Sequence, residues 1–269
     1  MAQTLVNGQD LTNLDISDRG LLYGDGFFTT IRVRDGKAEH WLLHAERIRL
    51  SAEKLHFPEL DIDQIKADIE QLIAKQKNDG AIRLTITRGS GVRGYKPPAN
   101  PDISRIVSWS NISSDKLSAV ETGVALALCD THDSYNPALA GVKHLNRLPQ
   151  VLASNEIPDE CFDGIMLVGQ HIIGGSKTNI YFYQDGLWLT PEMDSAGVDG
   201  TVRRWLLSTQ RNVKATKFGL EVLHDAQYCM VSNALYGMIP VTKIMQHRYD
   251  ISPDIATLQQ QYRDSALIE

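Results

Sequence analysis

The sequence predicts a mixed α+β protein of two domains, and three observations carry that expectation. The first half opens with a hairpin signal followed by two amphipathic helices. A polar stretch, Asn111 to Gly123, interrupts two strand-like runs. Beyond it, short strands alternate with tight turns and isolated helices. With 269 residues, and about 150 per domain as a prior, one large domain or two modest ones are expected. The polar stretch favours two, an N-terminal domain over residues 1–113 and a C-terminal one over 114–269.

From Phe27 to Trp41 an apolar, β-branched run (Phe28, Thr30, Ile31, Val33) meets Asp35-Gly36 and then a second short run, a pattern that specifies a β-hairpin. Trp41, Ala45, Ile48, Ala52 and Leu55 recur at steps of four and three, which places them on one face of a helix closed by Pro58. Arg47 sits one position off that stripe. Asp61 caps a second helix whose buried face is Ile62, Ile65, Ile69, Leu72 and Ile73, ended by Asp79-Gly80. Strands are expected over Ala81 to Thr87 and Ser104 to Ser110, and past the polar stretch over Val124 to Cys129. A helix runs from near Leu148 to Glu156, because Pro149 is tolerated only in a first turn. Strands over Gly164 to Val168, His171 to Ile173, Thr178 to Tyr183 and Leu187 to Leu189 follow, then a helix from Thr201 to Gln210 and strands at Tyr228 to Val231 and Met238 to Ile244.

Composition excludes several classes of function. At 42% hydrophobic and 22% charged, with 20 Gly and 10 Pro, the chain is neither disordered nor collagenous. A formal charge of -6 argues against a dedicated nucleic-acid binder, which needs a clustered cationic surface. Cys129, Cys161 and Cys229 are odd in number and lack any CxxC pair, so neither a disulfide framework nor a zinc site is indicated and no metal is expected. No signal-peptide pattern and no run of about 20 apolar residues is present. A cytoplasmic protein acting off the membrane is expected.

Three segments carry candidate chemistry. Gly89-Ser90-Gly91-Val92-Arg93-Gly94 spells GxGxxG after a strand, but Tyr95-Lys96-Pro97-Pro98 follows where a dinucleotide fingerprint needs a helix. Its content lies instead in Arg88, Arg93 and Tyr95, since two guanidiniums on a glycine loop suit a carboxylate ligand; the alternative is a solvated hairpin tip. In Gly141-Val142-Lys143-His144-Leu145-Asn146-Arg147-Leu148 a lysine stands between apolar neighbours. A lone lysine is usually solvated, whereas a partly buried one becomes available for Schiff-base chemistry. Finally, Ala196 to Arg203 is a glycine-rich turn opening a helix, whose free N–H groups suit a phosphate or serve simply as a capped helix start.

In this order, Ser17-Asp18-Arg19-Gly20, Tyr23-Gly24-Asp25-Gly26-Phe27-Phe28-Thr29-Thr30, His44-Ala45-Glu46-Arg47-Ile48, the RGSGxRGY loop from Arg88 to Tyr95, KHLNRL from Lys143 to Leu148, Gly197 to Arg203 and Asn233-Ala234-Leu235 resemble the fold-type IV pyridoxal-phosphate enzymes. The RGSGxRGY and KHLNRL pieces resemble the aminodeoxychorismate lyases in particular. The resemblance covers most of the chain. It implies a D-amino-acid aminotransferase-like two-domain fold with pyridoxal 5'-phosphate in the cleft between the domains, and a homodimer. It also implies that Lys143 attaches the cofactor and then serves as proton-transfer base. Arg47, the backbone of Thr201 and Val202, and Asn233-Ala234 would hold the phosphate, and Arg88, Arg93, Tyr95 and Thr30 would meet substrate carboxylates. The reaction implied converts 4-amino-4-deoxychorismate to 4-aminobenzoate and pyruvate, a step toward folate. An aminotransferase of branched-chain or D-amino acids is the nearest rival.

One position departs from the pattern. Where the family carries a glutamate that pairs with the pyridine nitrogen, five residues before the asparagine matching Asn179, this chain has Gly174. Loss of that charge should weaken the electron sink, less seriously for a lyase whose product gains aromaticity than for a transaminase. A cofactor-binding homologue with impaired catalysis is the remaining alternative.

Overall fold

A computed structural model of the chain describes residues 3–112 and 119–266. The expected domain boundary at residue 113 lies outside the described residues. The chain divides into two compact units, one of residues 3–112 with Val142–Asn146, the other of residues 119–141 with Arg147–Ser265.

The first unit contains β1 (Thr4–Val6), α1 (Arg19–Tyr23), β2 (Gly26–Arg34), β3 (Lys37–Ala38), α2 (Trp41–Lys54), α3 (Ile62–Ile73), β4 (Gly80–Thr87) and β5 (Ser104–Ser110). Its antiparallel sheet runs β1-β5-β4-β2-β3. The expected hairpin forms at Asp35 and Gly36, whose φ of 49° and 70° are the paired positive values a two-residue hairpin turn requires. Alternation along β2 sends Phe27, Ile31 and Val33 into a core with Ile82, Leu84, Ile86, Val107 and the α2 and α3 residues Ala45, Ile48, Ile65, Ile69 and Leu72. Asp61 caps α3 through its carboxylate, which accepts from Gln64 N at 2.9 Å. That helix ends at Ile73, six residues before Asp79, because turn residues rather than further helix lead to β4. The α2 stripe is also wider than its apolar residues suggest, since His44, Arg47 and Ser51 are buried along with Ala45 and Ile48.

The segment Val142–Asn146 joins this unit as a short extension at the edge of β2. His144 bridges Phe27 antiparallel, Phe28 N donates to the Lys143 carbonyl at 2.9 Å, and Leu145 N to the Gly26 carbonyl at 3.0 Å.

The second unit contains α4 (Ala119–Thr122), β6 (Val124–Leu128), α5 (Leu148–Asn155), β7 (Asp163–Val168), β8 (His171–Gly175), β9 (Asn179–Gln184), β10 (Leu187–Pro191), α6 (Thr201–Thr209), β11 (Val213–Thr216), α7 (Val222–Asp225), β12 (Tyr228–Asn233), β13 (Gly237–Ile244), β14 (His247–Arg248) and α8 (Asp254–Ser265). Its mixed sheet runs β11-β10-β9-β12-β13-β6-β7-β8, with β14 on β13. One core gathers Ile165, Ile180, Phe182, Val231, Ile239 and Val241 with Phe218 and Leu223. Among the described residues no helix is long and apolar enough to cross a membrane.

Candidate active site

Lys143 is placed by its neighbours in sequence. Val142 is 4% exposed and belongs to the first unit's core, so the alternating direction of an extended segment turns Lys143 to the other face of β2. There its Nζ lies 4.6 Å from the centroid of the Phe28 ring, and the Arg83 guanidinium lies 3.7 Å from the same centroid. Both distances are within cation–π range. Thr30 is directly opposite Arg83 in the ladder between β2 and β4, and it is half-buried. Although Arg83 reaches solvent, partial burial pulls its pKa down from the ordinary arginine value; it remains a cation. This arginine occupies a position in β4 that alternates with buried Ile82 and Leu84, a signal present in the sequence that places it on the face away from the core.

Arg47 lies on the helix-facing side of β2, 7% exposed, and its Nη1 donates to Thr29 Oγ1 at 3.3 Å. The same hydroxyl is 2.7 Å from His44 Nδ1. Burial drives the His44 imidazole well below its ordinary pKa, and Arg47 and His40 push the same way, so His44 is neutral. The first unit thus has Lys143, Phe28, Thr30 and Arg83 on one face of β2 and Thr29, His44 and Arg47 on the other.

Arg88, expected to meet substrate, belongs to neither group and is held by partners within the fold. Its Nε is 3.0 Å from both carboxylate oxygens of Asp25, Nη1 and Nη2 donate to the carbonyls of His56 and Leu55 at 2.9 and 2.8 Å, and its guanidinium stacks on Phe57 at 4.0 Å. Each of its three nitrogens is engaged within the fold. Arg19 performs a parallel task, pairing with Asp25 at 2.8 Å and donating to the carbonyls of Gly94 and Tyr95 at 2.8 and 2.7 Å. It thereby fastens the glycine loop. Arg93 and Tyr95 are both presented outward by that loop, Tyr95 being 87% exposed with its ring edge on Tyr23. Neither joins Lys143 within this unit.

In the second unit the start of α6 leaves first-turn N–H groups that can meet an anion. Gly200 occupies the N-cap without a side chain, and a Cβ there would collide with Asn179 Oδ1. The preceding turn is fixed by Asn179 Nδ2 donating to the Val198 carbonyl at 2.8 Å and by reciprocal bonds between Gly141 and the 197–199 backbone, each 3.0 Å. Asp199 accepts from Arg203 Nη1 at 2.6 Å and Arg204 Nε at 2.9 Å. Thr201 and Val202 are each 1% exposed, and Thr201 Oγ1 has no hydrogen-bond partner among the described residues. First-turn N–H groups lie outside the intrahelical ladder and carry the positive end of the helix dipole. A buried hydroxyl lacking a partner beside them fits the phosphate of a cofactor such as pyridoxal phosphate.

Asn233 and Ala234 lie in the turn between β12 and β13, both half-buried. The Asn233 side-chain oxygen accepts from Leu235 N and Tyr236 N at 3.0 and 3.1 Å, so it shapes its own turn. Gly174, in β8, has φ +139°, and a Cβ on it would stand 2.9 Å from the Thr178 carbonyl oxygen.

Comparison with known proteins gives three findings. Residues 26–244 match the family described as amino-transferase class IV. An aminodeoxychorismate lyase of Vibrio harveyi is 36% identical over 247 residues, covering 89% of this chain and 90% of that protein, and a D-alanine aminotransferase of Staphylococcus epidermidis is 27% identical over 258 residues, covering 91% and 89%. The crystal structure of 4-amino-4-deoxychorismate lyase from Pseudomonas aeruginosa superposes with a TM-score of 0.91 at 33% identity, covering 97% of this chain and 98% of that one.

Proposed function

This chain belongs to the class IV aminotransferases, a family that uses pyridoxal phosphate and shares the fold-type IV architecture, and from that premise we propose that it is a 4-amino-4-deoxychorismate lyase. Its products would be 4-aminobenzoate and pyruvate. The observation that carries the reading is the pairing of Lys143 and Arg83 on the ring of Phe28, with Thr30 beside them. An amine and a planar guanidinium on one face suit a substrate that carries both an amino group and carboxylates, because the fork of an arginine matches a carboxylate in two parallel hydrogen bonds.

Arg47, the Thr201 hydroxyl, the first-turn N–H groups of α6 and the turn at Asn233-Ala234 are assigned to the phosphate of pyridoxal phosphate. Lys143 is assigned to its aldehyde carbon. When bound there, pyridoxal phosphate supplies an electron sink for the carbon next to the substrate nitrogen. With the substrate amine in place, Lys143 Nζ would take the proton from the ring carbon that bears nitrogen. The bond from the ring to the enolpyruvyl oxygen breaks, with its electron pair leaving on that oxygen, and the ring becomes aromatic. A proton delivered to the enol methylene completes pyruvate. Arg83 holds one carboxylate so that the ring proton stays within reach of the lysine.

The test is a coupled assay in which pyruvate and 4-aminobenzoate appear in equal amounts from the purified protein. The similarity to D-alanine aminotransferases favours a second reading, transamination, because Arg83 would hold a 2-oxo acid equally well. Sustained turnover with a 2-oxo acid, without 4-aminobenzoate, would establish it instead. A homodimer is part of the same proposal, supported by Leu148, Val151 and Leu152, which leave one side of α5 apolar and exposed. Light scattering at the mass of a single chain would refute that part.

A further inference from the structure

The buried face of β2 and the helix packed on it carry two polar side chains, Thr29 and His44, to which the reading above gives no role. Thr29 lies between Phe27 and Ile31 on the side packed against α2, and it is 1% exposed; His44 is 1% exposed and Arg47 7%. A hydroxyl, an imidazole and a guanidinium taken out of water together cost free energy unless they satisfy one another. An apolar residue at position 29 would leave the Arg47 donor and the His44 acceptor without this shared partner. Their hydrogen bonds also have a fixed sense. Arginine has only donors, so Thr29 Oγ1 accepts from Arg47 Nη1. The single proton of Thr29 is then directed to His44 Nδ1, 2.7 Å away, which is an acceptor when the imidazole is neutral and carries its proton on Nε2. His44 and Arg47 are three residues apart on α2, so the helix holds both ends of the arrangement and β2 holds its centre.

We propose that Thr29 and His44 are positioning residues for Arg47: the imidazole orients the Thr29 hydroxyl, whose lone pair then fixes the guanidinium in the orientation in which it meets an anion. The inference deepens the reading above, since it rests on Arg47 meeting the cofactor phosphate. A long side chain with many rotamers binds an anion well only if one rotamer is selected beforehand, because freezing it on binding would otherwise subtract from affinity. Thr29 makes that selection from β2, where it pairs with Leu84 of β4.

The test compares apo-protein titrated with pyridoxal phosphate and with pyridoxal, which share ring and aldehyde and differ in the phosphate. Thr29→Val removes the hydroxyl at nearly constant shape, Thr29→Ser retains it, and both are combined with Arg47→Ala. Thr29→Val should weaken pyridoxal phosphate about fivefold to tenfold, as expected for one lost hydrogen bond, and leave pyridoxal within about twofold. Thr29→Ser should restore the parent affinity, and Thr29→Val should add nothing once Arg47 is alanine. Equal weakening of both ligands, or an undiminished effect in the Arg47→Ala background, would overturn the proposal. A strong effect of Arg47→Ala with none from Thr29→Val would overturn it while the phosphate assignment stood. No effect of Arg47→Ala would overturn the phosphate assignment itself. Thermal midpoints of each variant, with Thr29→Ser as the version least disturbed, separate affinity from folding.

Discussion

Replacing Arg88 and Arg83 separately by alanine should distinguish an arginine that holds the fold from one that meets substrate. Arg88 is 7% exposed at its side chain and pairs with Asp25, itself 17% exposed, while its two terminal nitrogens serve the carbonyls of Leu55 and His56. Removing one partner of a buried ion pair costs about 3 to 5 kcal/mol, since it leaves the other charge and its acceptors exposed to a poor environment. Asp25 retains Arg19 at 2.8 Å, which argues for the lower end of that range. Against a total of roughly 5 to 15 kcal/mol for a typical domain, such a loss removes about a fifth to three fifths of the stability. Urea denaturation followed by the fluorescence of Trp41 and Trp109 should therefore show a clear fall in midpoint for Arg88→Ala. Arg83→Ala removes one cation–π contact, about 0.5 to 1 kcal/mol, and should leave that midpoint nearly unchanged. Its kcat/KM for the lyase reaction should fall roughly 10- to 100-fold, the equivalent of one charge-assisted hydrogen bond. The reverse pattern, Arg88→Ala stable but with a greatly raised KM and Arg83→Ala unaffected, would refute the assignment.

Two further outcomes are expected. Borohydride reduction of the protein loaded with pyridoxal phosphate should place the label on the peptide containing Lys143, and Lys143→Ala should take up none; a label on another lysine would exclude the assignment. Acidification should destabilise the fold between about pH 6.5 and 4. Burial, with Arg34 nearby, lowers His40 to about 4, so in that window the unfolded chain binds a proton the folded chain does not. Stability then falls with pH by up to about 3 kcal/mol, from the pKa difference, and His44 adds in the same direction. His40→Asn should lose less between pH 7 and pH 4.5 in denaturation midpoint, and an equal loss would assign the effect elsewhere.

What could be read from the sequence was what is decided locally. The turn at Asp35-Gly36, the cap at Asp61, the helix started by Pro149 and the glycine N-cap at Gly200 each depend on a few adjacent residues, and all four form as expected. What escaped is decided by distant partners. The Lys143 segment has no strand signature of its own and becomes extended only by pairing with β2, over a hundred residues earlier. Arg88 looked like a ligand arginine because its loop is glycine-rich, while the groups that occupy it, Asp25, Leu55 and His56, are far away in sequence. Arg47 stands beside an apolar stripe, but its partner Thr29 lies on β2, across the interface between helix and strand. The helix α8 carries Ile255, Leu258 and Tyr262 at helical spacing, a local signal that the sequence also contains.

Gly174 shows how a departure from a family pattern can be structural rather than a missing atom group. Read from sequence alone, Gly174→Glu should restore a carboxylate for the pyridine nitrogen and raise transamination relative to lyase turnover. The backbone opposes this. A φ of +139° is a conformation that side-chain-bearing residues rarely adopt, costing about 1 to 3 kcal/mol, and the new Cβ would press on the Thr178 carbonyl at 2.9 Å. The neighbouring hairpin is built around the same path: Asp163, fully buried, accepts from the hydroxyls of Ser176 and Thr178 and from Lys177 N, and a Cβ on Gly175 would collide with it. A glutamate at 174 therefore requires the turn from Gly175 to Thr178 to move, which would disturb those bonds. The expected result is a less stable protein with an unchanged ratio of transamination to lyase turnover at full cofactor occupancy. A variant as stable as its parent, with that ratio raised, would show that the hairpin yields easily and that ring protonation limits the parent enzyme.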